Sequence, residues 1–265
     1  MDIGFGAACV AALSALTYVP SIRARWTPPW SRHAAAVHLG FGRKLREFAG
    51  AGALLAGRSL AVELTEFALP LALAHLSPLH LALYGQVVGE LSKYSKYIPQ
   101  AVGFAGNAVL ARMRGASPTA GNDQAKLQGV ALACAGLMGG ALSAGLAVIG
   151  PERLTRWLMQ SNEASAYAQL SSPMVWLTFV GFHPINAVVA VQEQLLVART
   201  QIRALTAASC GAALLVFAPI VLVGVRERSF ALVLGAKVAF ELVRGCCFAA
   251  VLCSSASASP AGDMR

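Results

Sequence analysis

Charged side chains interrupt three of the long apolar segments in this sequence, and they are the residues best suited to do chemistry. They are Arg58, Glu63, Glu66, Glu90, Lys93, Lys96, Lys237, Glu241 and Arg244. An ionisable side chain at bilayer depth costs roughly 3 kcal/mol or more, so it normally faces a protein interior or a water-filled cavity. Three segments that carry this cost predict a polar path through a bundle of helices, which is typical of transport.

The spacing of these charges places each set on one face of its helix. At about 100° per residue, Glu63 and Glu66 lie about 60° apart, and Lys237 and Glu241 lie about 40° apart. One interpretation is a lumen lined by charges of both signs. The alternative is that neighbours such as Lys237 and Glu241 form intrahelical pairs that neutralise each other, while a residue near a helix end, such as Arg244, extends to the interface.

Polar side chains near these charges are further candidates for contact with a substrate. Tyr94 and Tyr97 lie beside the lysines and can stack on a sugar ring or a flat cation. The alternative is that they are packing or interface residues. His183, Pro184 and Asn186 make the middle of another segment polar and kinked, which fits either a hinge or a substrate contact. The predicted substrate-binding residues are Arg58, Glu63, Glu66, Glu90, Lys93, Tyr94, Lys96, Tyr97, Asn186, Lys237 and Glu241.

The composition is that of a membrane protein. Of the 265 residues, 57% are hydrophobic and only 12% are charged, and the mean hydropathy is +0.62. Soluble domains average about 25% charged residues. Seven apolar segments approach the ~20 residues needed to cross a bilayer, namely residues 3–20, 49–75, 80–111, 127–150, 172–197, 204–224 and 229–253. Because lipid offers the backbone no hydrogen-bonding partner, the sequence predicts an all-α, polytopic bundle of about seven transmembrane helices.

One of these segments is dense in small residues. Gly136 and Gly140 lie four positions apart within residues 127–150. This small-xxx-small spacing lets membrane helices approach closely, so it predicts a helix contact at these two glycines.

The net charge of +9 indicates topology rather than nucleic-acid binding. Six basic residues crowd the first loop: Arg23, Arg25, Arg32, Arg43, Lys44 and Arg46. The third and fifth loops are also basic, and the alternate loops carry fewer such residues. By the positive-inside rule we expect a multi-pass protein of the plasma (inner) membrane, with its N-terminus outside, its C-terminus in the cytoplasm and no nucleic-acid partner.

No pattern for catalysis or cofactor binding stands out. The six cysteines lack metal-ligand spacing and are interpreted as small apolar residues. No nucleophile–base pair and no phosphate-binding glycine loop is recognisable in the sequence. We therefore expect neither an enzyme nor a metal or cofactor.

The chain divides by composition into four parts. These are a first transmembrane helix (1–20), a basic cytoplasmic linker (21–47), a six-helix membrane lobe (48–253) and a short cytoplasmic tail (254–265). No basic stretch precedes the first apolar segment, so we expect an uncleaved anchor or the last helix of a longer protein rather than a signal peptide.

Three passages between residues 38 and 250 carry a family resemblance. They are His38–Gly42 with the turn Ser77–Gly85, the stretch from Ile98-Pro99-Gln100 through Leu110–Ala116, and Gln194–Arg203. The first is similar to polysaccharide flippases, in which a tyrosine-glycine step lies early in the second helix of a lobe. The third resembles the short basic cytoplasmic loop between the fourth and fifth helices of a lobe. Together they resemble the multidrug/oligosaccharidyl-lipid/polysaccharide exporter superfamily.

The resemblance implies the C-terminal lobe of a polysaccharide-type flippase. Family members have two six-helix lobes around a central cavity and work by alternating access, so a single lobe implies a homodimer, a partner chain that supplies the other lobe, or a fragment. The implied activity is the export or flipping of lipid-linked oligosaccharide or polysaccharide precursors of the cell envelope, or of another amphipathic substrate, within the lipid bilayer. Lys93, Lys96 and Arg58 would suit the pyrophosphate of such a substrate.

Two other hypotheses remain open at the level of sequence. Glu63 and Glu66 would suit a cation-coupled multidrug antiporter of the multidrug and toxin extrusion type, which relies on carboxylates in its cavity. The chain is alternatively a non-transporting membrane subunit or fragment, which predicts no loss of function when the buried charges are neutralised.

Overall fold

The structure, a computed structural model, describes residues 33–116, 121–159 and 168–257. The predicted first transmembrane helix, residues 21–32 of the predicted linker and residues 258–265 of the predicted tail lie outside the described residues. The chain forms two compact units, residues 1–51 and 52–265. In the first unit, the described residues form the beginning of a helix that starts at His33.

Every regular element in the described part of the chain is helical. The elements are α1 (His33–Leu76), α2 (Pro78–Leu83), a π-helical turn (Tyr84–Gly89), α3 (Glu90–Ala116), α4 (Gly121–Met159), α5 (Pro173–Ala198), α6 (Ile202–Ala212), a second π-helical turn (Ala213–Phe217), α7 (Ala218–Arg226) and α8 (Phe230–Ser257). The predicted all-α class is thus confirmed for these residues.

Four of the helical stretches are long and apolar enough to cross a membrane. They are Phe48–Leu76, Asp123–Leu158, Pro173–Ala198 and Ile202–Arg226. These four support a membrane protein, whereas the predicted number of seven spans is not confirmed. The helix α8 is 28 residues long, but Lys237, Glu241 and Arg244 interrupt its apolar character.

Helix α5 lies at the centre of the second unit, where α3, α4 and α8 pack against it. Its stretch from Val189 to Leu196 is buried on all sides, so the polar side chains of Gln192, Glu193 and Gln194 are buried together with the apolar ones. Two glycines let neighbouring helices approach it closely. A Cβ at Gly139 would lie 2.6 Å from the Cα of Pro184, and a Cβ at Gly103 would lie 2.8 Å from the Cγ of Gln194.

Local sequence signals explain where the first hairpin turns. Ser77 ends the long helix α1, and its hydroxyl accepts a hydrogen bond from the backbone N–H of His80 at 3.2 Å. Pro78 occupies the first position of α2, where the missing N–H is not needed. The chain then continues through the first π-helical turn into α3. π-helical turns inside α-helices occur often at functional sites.

Candidate functional site: a charged cavity in the helix bundle

Six charged side chains form a continuous series of ion pairs inside the second unit. In order, they are Glu66, Lys237, Glu241, Arg244, Glu193 and Arg58, and we call this series the charge chain. The nitrogen Nζ of Lys237 lies 3.8 Å from Oε1 of Glu241. A nitrogen of Arg244 lies 2.6 Å from Oε2 of Glu241.

The charge chain connects three helices and is electrically neutral, because it contains three acidic and three basic residues. Arg58 and Glu66 belong to α1, Glu193 belongs to α5, and the other three belong to α8. Four members expose 5% or less of their surface: Glu193, Lys237, Glu241 and Arg244. Removing charges from water costs several kcal/mol per ion, so burial at this level requires pairing such as that observed.

Aromatic rings complete the environment of the central arginine. The guanidinium carbon of Arg244 lies 4.9 Å from the ring centroid of Phe240 and 5.4 Å from that of Phe248. Cations favour the faces of aromatic rings, so these contacts offset part of the lost hydration. Arg244 is therefore held inside the bundle by its ion pairs and its rings, whereas extension to the interface was one of the expectations from sequence.

Sequence reasoning missed Glu193. It lies between Gln192 and Gln194 in the apolar segment 172–197, and all three side chains are buried. The signal that singled out the other charges, an ionisable residue within a membrane-length segment, applies to Glu193 equally well. Its partners, Arg58 on α1 and Arg244 on α8, belong to distant parts of the sequence.

One end of the charge chain borders a polar cavity of about 310 Å³. Helix α1, the first π-helical turn, α3, α5 and α8 all contribute to its wall. The lining residues are Glu63, Glu66, Tyr84, Gly85, Gly89, Ser92, Lys93, Lys96, Tyr97, Phe182, Asn186 and Lys237. Five of these carry ionisable acidic or lysine side chains, so the wall presents both signs of charge in a largely apolar bundle.

Asn186 fixes the position of α3 relative to α5 at the cavity wall. Its side-chain nitrogen donates hydrogen bonds to the backbone oxygen of Ser92 at 3.0 Å and to the hydroxyl of Ser95 at 2.8 Å. Both Asn186 and Ser95 are buried. These bonds satisfy the two donors of the amide nitrogen and hold the part of α3 that carries Lys93 and Lys96.

Two charged residues of the cavity have no partner of their own. Neither Glu63 nor Lys96 has a hydrogen bond or an ion pair within 4.0 Å among the residues that the structure describes. By contrast, Glu66 pairs with Lys237, and Nζ of Lys93 lies 2.5 Å from Oε1 of Glu90. One free carboxylate and one half-buried free ammonium therefore face the cavity.

The structure brings most of the predicted site residues together, but not all of them to the cavity. Glu63, Glu66, Lys93, Lys96, Tyr97, Asn186 and Lys237 line it. Arg58 and Glu241 lie behind its wall in the charge chain. Glu90 is exposed and contacts the cavity only through Lys93. Tyr94 is 57% exposed and does not line the cavity.

The middle of α5, around Pro184, packs closely against α4; we call this contact the joint. Proline lacks the N–H that would bond the carbonyl four residues earlier, and in α5 the hydroxyl of Ser143 donates to that carbonyl, the oxygen of Val180. Gly139, also on α4, meets the backbone of His183 and Pro184. His183 is fully buried, and neither ring nitrogen has a hydrogen-bond partner. This joint lies outside the set of cavity-lining residues.

The described residues include no group of three or more His, Cys, Asp or Glu side chains that could hold a metal ion. The side chains that line the cavity can form ion pairs and hydrogen bonds with a ligand. Such groups can recognise a charged ligand by its shape and the positions of its charges.

Comparison with known proteins gives no family assignment. No protein-family model matches this chain, and no curated protein or solved structure matches it either.

Proposed function

We propose that this chain is one lobe of a membrane exporter that moves lipid-linked saccharide precursors of the cell envelope across the membrane by alternating access. The proposal rests on one observation, the polar cavity of about 310 Å³ with five acidic or lysine side chains in its wall. Charged groups are costly at bilayer depth and mark substrate or ion pathways when they occur there. Two of the helices that line the cavity, α1 and α5, contain stretches long and apolar enough to cross a membrane, which supports such surroundings.

The pairing within the cavity leaves one candidate carboxylate for the second candidate function, a proton-coupled drug antiporter. An antiporter of that kind needs a carboxylate that is free to exchange a proton or cation. Glu66 is already bonded to Lys237, and Glu241 is bonded to Arg244. Of the acidic residues in the described part of the cavity, only Glu63 is unpaired.

The exposure of the cavity wall supports a second lobe. Glu63, Lys93 and Tyr97 line the cavity and yet are exposed in the single chain. Because lipid does not solvate such groups, they require a covering of protein or water. We propose that a second copy of this chain or a partner chain provides it, giving the complete two-lobed transporter of about twelve helices that the family resemblance implies.

Topology follows from the same proposal. We place the protein in the plasma (inner) membrane with the basic ends of its helices in the cytoplasm, in accordance with the positive-inside rule. On this assignment, Arg203, near the beginning of α6, lies on the cytoplasmic side. Arg226, at the end of α7, lies on the outer side.

Translocation by the purified protein tests the proposal. The protein is reconstituted into vesicles that contain farnesyl phosphate sugars with a nitrobenzoxadiazole label on the prenyl chain. Dithionite, which does not cross the membrane, then reduces the label in the outer leaflet only. The proposal predicts that the protein makes the inner-leaflet label accessible, whereas protein-free vesicles protect it. Protection of the inner-leaflet label in both kinds of vesicle would favour a non-transporting membrane subunit.

A further inference from the structure

Two of the charged side chains that line the cavity have no ion-pair partner among the described residues, and they differ in sign. Glu66, Lys237 and Lys93 each have an ion-pair partner. The ammonium of Lys96 and the carboxylate of Glu63 have none within 4.0 Å in the described part of the chain. A ligand that satisfies both must carry one negative and one positive group.

The surroundings of Lys96 favour a phosphate as the negative group. Lys96 is partly buried, and the cavity wall holds three lysines and two carboxylates, so the lining carries a net charge of +1 and Lys96 is its one lysine without an ion-pair partner among the described residues. A lysine ammonium binds phosphate as a point charge, and charge-assisted hydrogen bonds are about twice as strong as neutral ones.

Glu63 offers the complementary site at the exposed side of the cavity. Its carboxylate can accept hydrogen bonds, and no described side chain forms a hydrogen bond with it or an ion pair within 4.0 Å. A protonated primary amine is the group that supplies both a positive charge and hydrogen-bond donors. Glu63 would therefore distinguish a free amine from its acetylated, neutral form.

The size of the cavity and its tyrosines indicate what joins the two charges. Ligand cavities span about 300–1,000 Å³, so about 310 Å³ accommodates a small headgroup rather than an oligosaccharide. Tyr84 and Tyr97 in the wall supply apolar ring surface with a polar hydroxyl, which suits a sugar.

We propose that the polar cavity binds a zwitterionic headgroup, an amino sugar phosphate, with its phosphate at Lys96 and its protonated amine at Glu63. This inference rests on the proposed function, because it specifies the lipid-linked saccharide as one that carries an unacetylated amino sugar. The same chemistry occurs in a free amino sugar phosphate and in a lipid-linked one.

Binding of three headgroup probes to the intact protein in lipid nanodiscs tests the proposal. Isothermal titration calorimetry compares glucosamine 1-phosphate with N-acetylglucosamine 1-phosphate, which lacks the positive charge, and with methyl glucosaminide, which lacks the phosphate. A hydrogen bond to a charged group changes affinity by roughly tenfold or more, so we expect the first probe to bind at least about tenfold more tightly than either of the others. Equal affinity for the first two probes would overturn the proposal.

Two variants assign the charges to residues. Glu63→Gln is expected to abolish the preference for the free amine while retaining the affinity for N-acetylglucosamine 1-phosphate. Lys96→Gln is expected to weaken the binding of both sugar phosphates and to leave the affinity for methyl glucosaminide unchanged. Glu152→Gln and Lys126→Gln are matched controls, because both residues are exposed and lie outside the cavity. Size-exclusion profiles identify misfolded variants. A folded Glu63→Gln variant that keeps the preference would contradict the proposal.

A pair of lipid-linked probes shows whether the ligand is a free sugar phosphate or a lipid headgroup. It also distinguishes a failure of this inference from a failure of the transport proposal. The titration is repeated with farnesyl phosphate glucosamine and with its N-acetylated form. Tighter binding of the free amine than of its acetylated form in the farnesyl pair supports a lipid headgroup. The inference is overturned if this preference occurs only with the free sugar phosphates, or if no probe binds. Selective binding without translocation would contradict the transport proposal and support this binding site. Translocation without selective binding of the amine would contradict this inference and support the transport proposal.

Discussion

Arg58 on α1 and Glu193 on α5 form an ion pair between positions 135 residues apart in the sequence. Glu193 also pairs with Arg244 on α8, so a single buried carboxylate joins three helices of the bundle. The cavity borders the other end of the same charge chain, at Glu66 and Lys237. The geometry of the cavity wall therefore depends on a residue that does not line it.

Glu193→Gln is expected to destabilise the protein strongly. It removes the anion between Arg58 and Arg244, which leaves Arg58 without its ion-pair partner and leaves the buried Arg244 paired with Glu241 alone. Breaking a buried ion pair by removal of one partner costs about 3–5 kcal/mol. The free energy of unfolding, measured by titration with dodecyl sulfate in mixed micelles, tests this. Glu152→Gln breaks an exposed pair with Arg156 and should cost at most about 1 kcal/mol. Equal effects of the two substitutions would contradict the structural role of the charge chain.

Gly139→Ala is expected to separate α4 from α5. The added Cβ would lie 2.6 Å from the Cα of Pro184 and 2.8 Å from the backbone oxygen of His183, and neither backbone atom can rotate away. Overpacking of this kind costs about 1–3 kcal/mol. Gly140→Ala is the matched control, because nothing lies within 4 Å of a Cβ there. Unfolding titrations of the two variants should differ, and indistinguishable curves would show that the helices do not meet at Gly139.

The hydroxyl of Ser143 compensates for the proline in α5. It donates to the oxygen of Val180, which Pro184 leaves without its helical donor. Ser143→Ala should cost about 0.5–1.5 kcal/mol, the net contribution of a typical hydrogen bond, because this pair is only partly buried. In a Pro184→Ala background the helix itself supplies the donor, so the same substitution should cost much less. A double-mutant cycle measures this difference. Additive effects would mean that Ser143 and Pro184 act independently.

Asn186→Leu is expected to loosen the attachment of α3 to the central helix. The substitution removes the two hydrogen bonds to Ser92 and Ser95 and leaves the hydroxyl of Ser95 without this donor. Loss of such bonds costs about 1–3 kcal/mol. Hydrogen–deuterium exchange of the α3 backbone, followed by mass spectrometry, should rise around Ser92 and Ser95. Unchanged exchange in α3 would contradict an anchoring role for Asn186.

The fold class follows from the sequence because it depends on quantities that the sequence contains. Composition and the length of apolar segments predict helices in lipid, and the described residues are organised as a helix bundle. The number of spans is harder to predict, because α8 combines membrane length with three charges. Whether such a helix crosses a bilayer depends on how its neighbours compensate those charges.

The contacts between helices could not be predicted in the same way. The spacing of Gly136 and Gly140 predicted a helix contact, yet both face open space in this chain and Gly139 makes the close approach instead. The rotation of α4 about its own axis decides which glycine meets α5, and that rotation is set by tertiary packing. Likewise, helical periodicity places Glu66 and Lys237 on faces of their own helices but does not specify that these faces meet.

The most direct test of the central claim is translocation of labelled farnesyl phosphate glucosamine by the reconstituted wild-type protein and by two pairs of variants. Lys96→Gln and Glu63→Gln remove the two free charges of the cavity. Lys126→Gln and Glu152→Gln remove exposed charges of the same type elsewhere. If the cavity carries the substrate, the first pair should slow translocation by about tenfold or more, since each loses a charge-assisted hydrogen bond. The second pair should match the wild type. Equal rates for all five proteins, or no translocation by the wild type, would contradict the account.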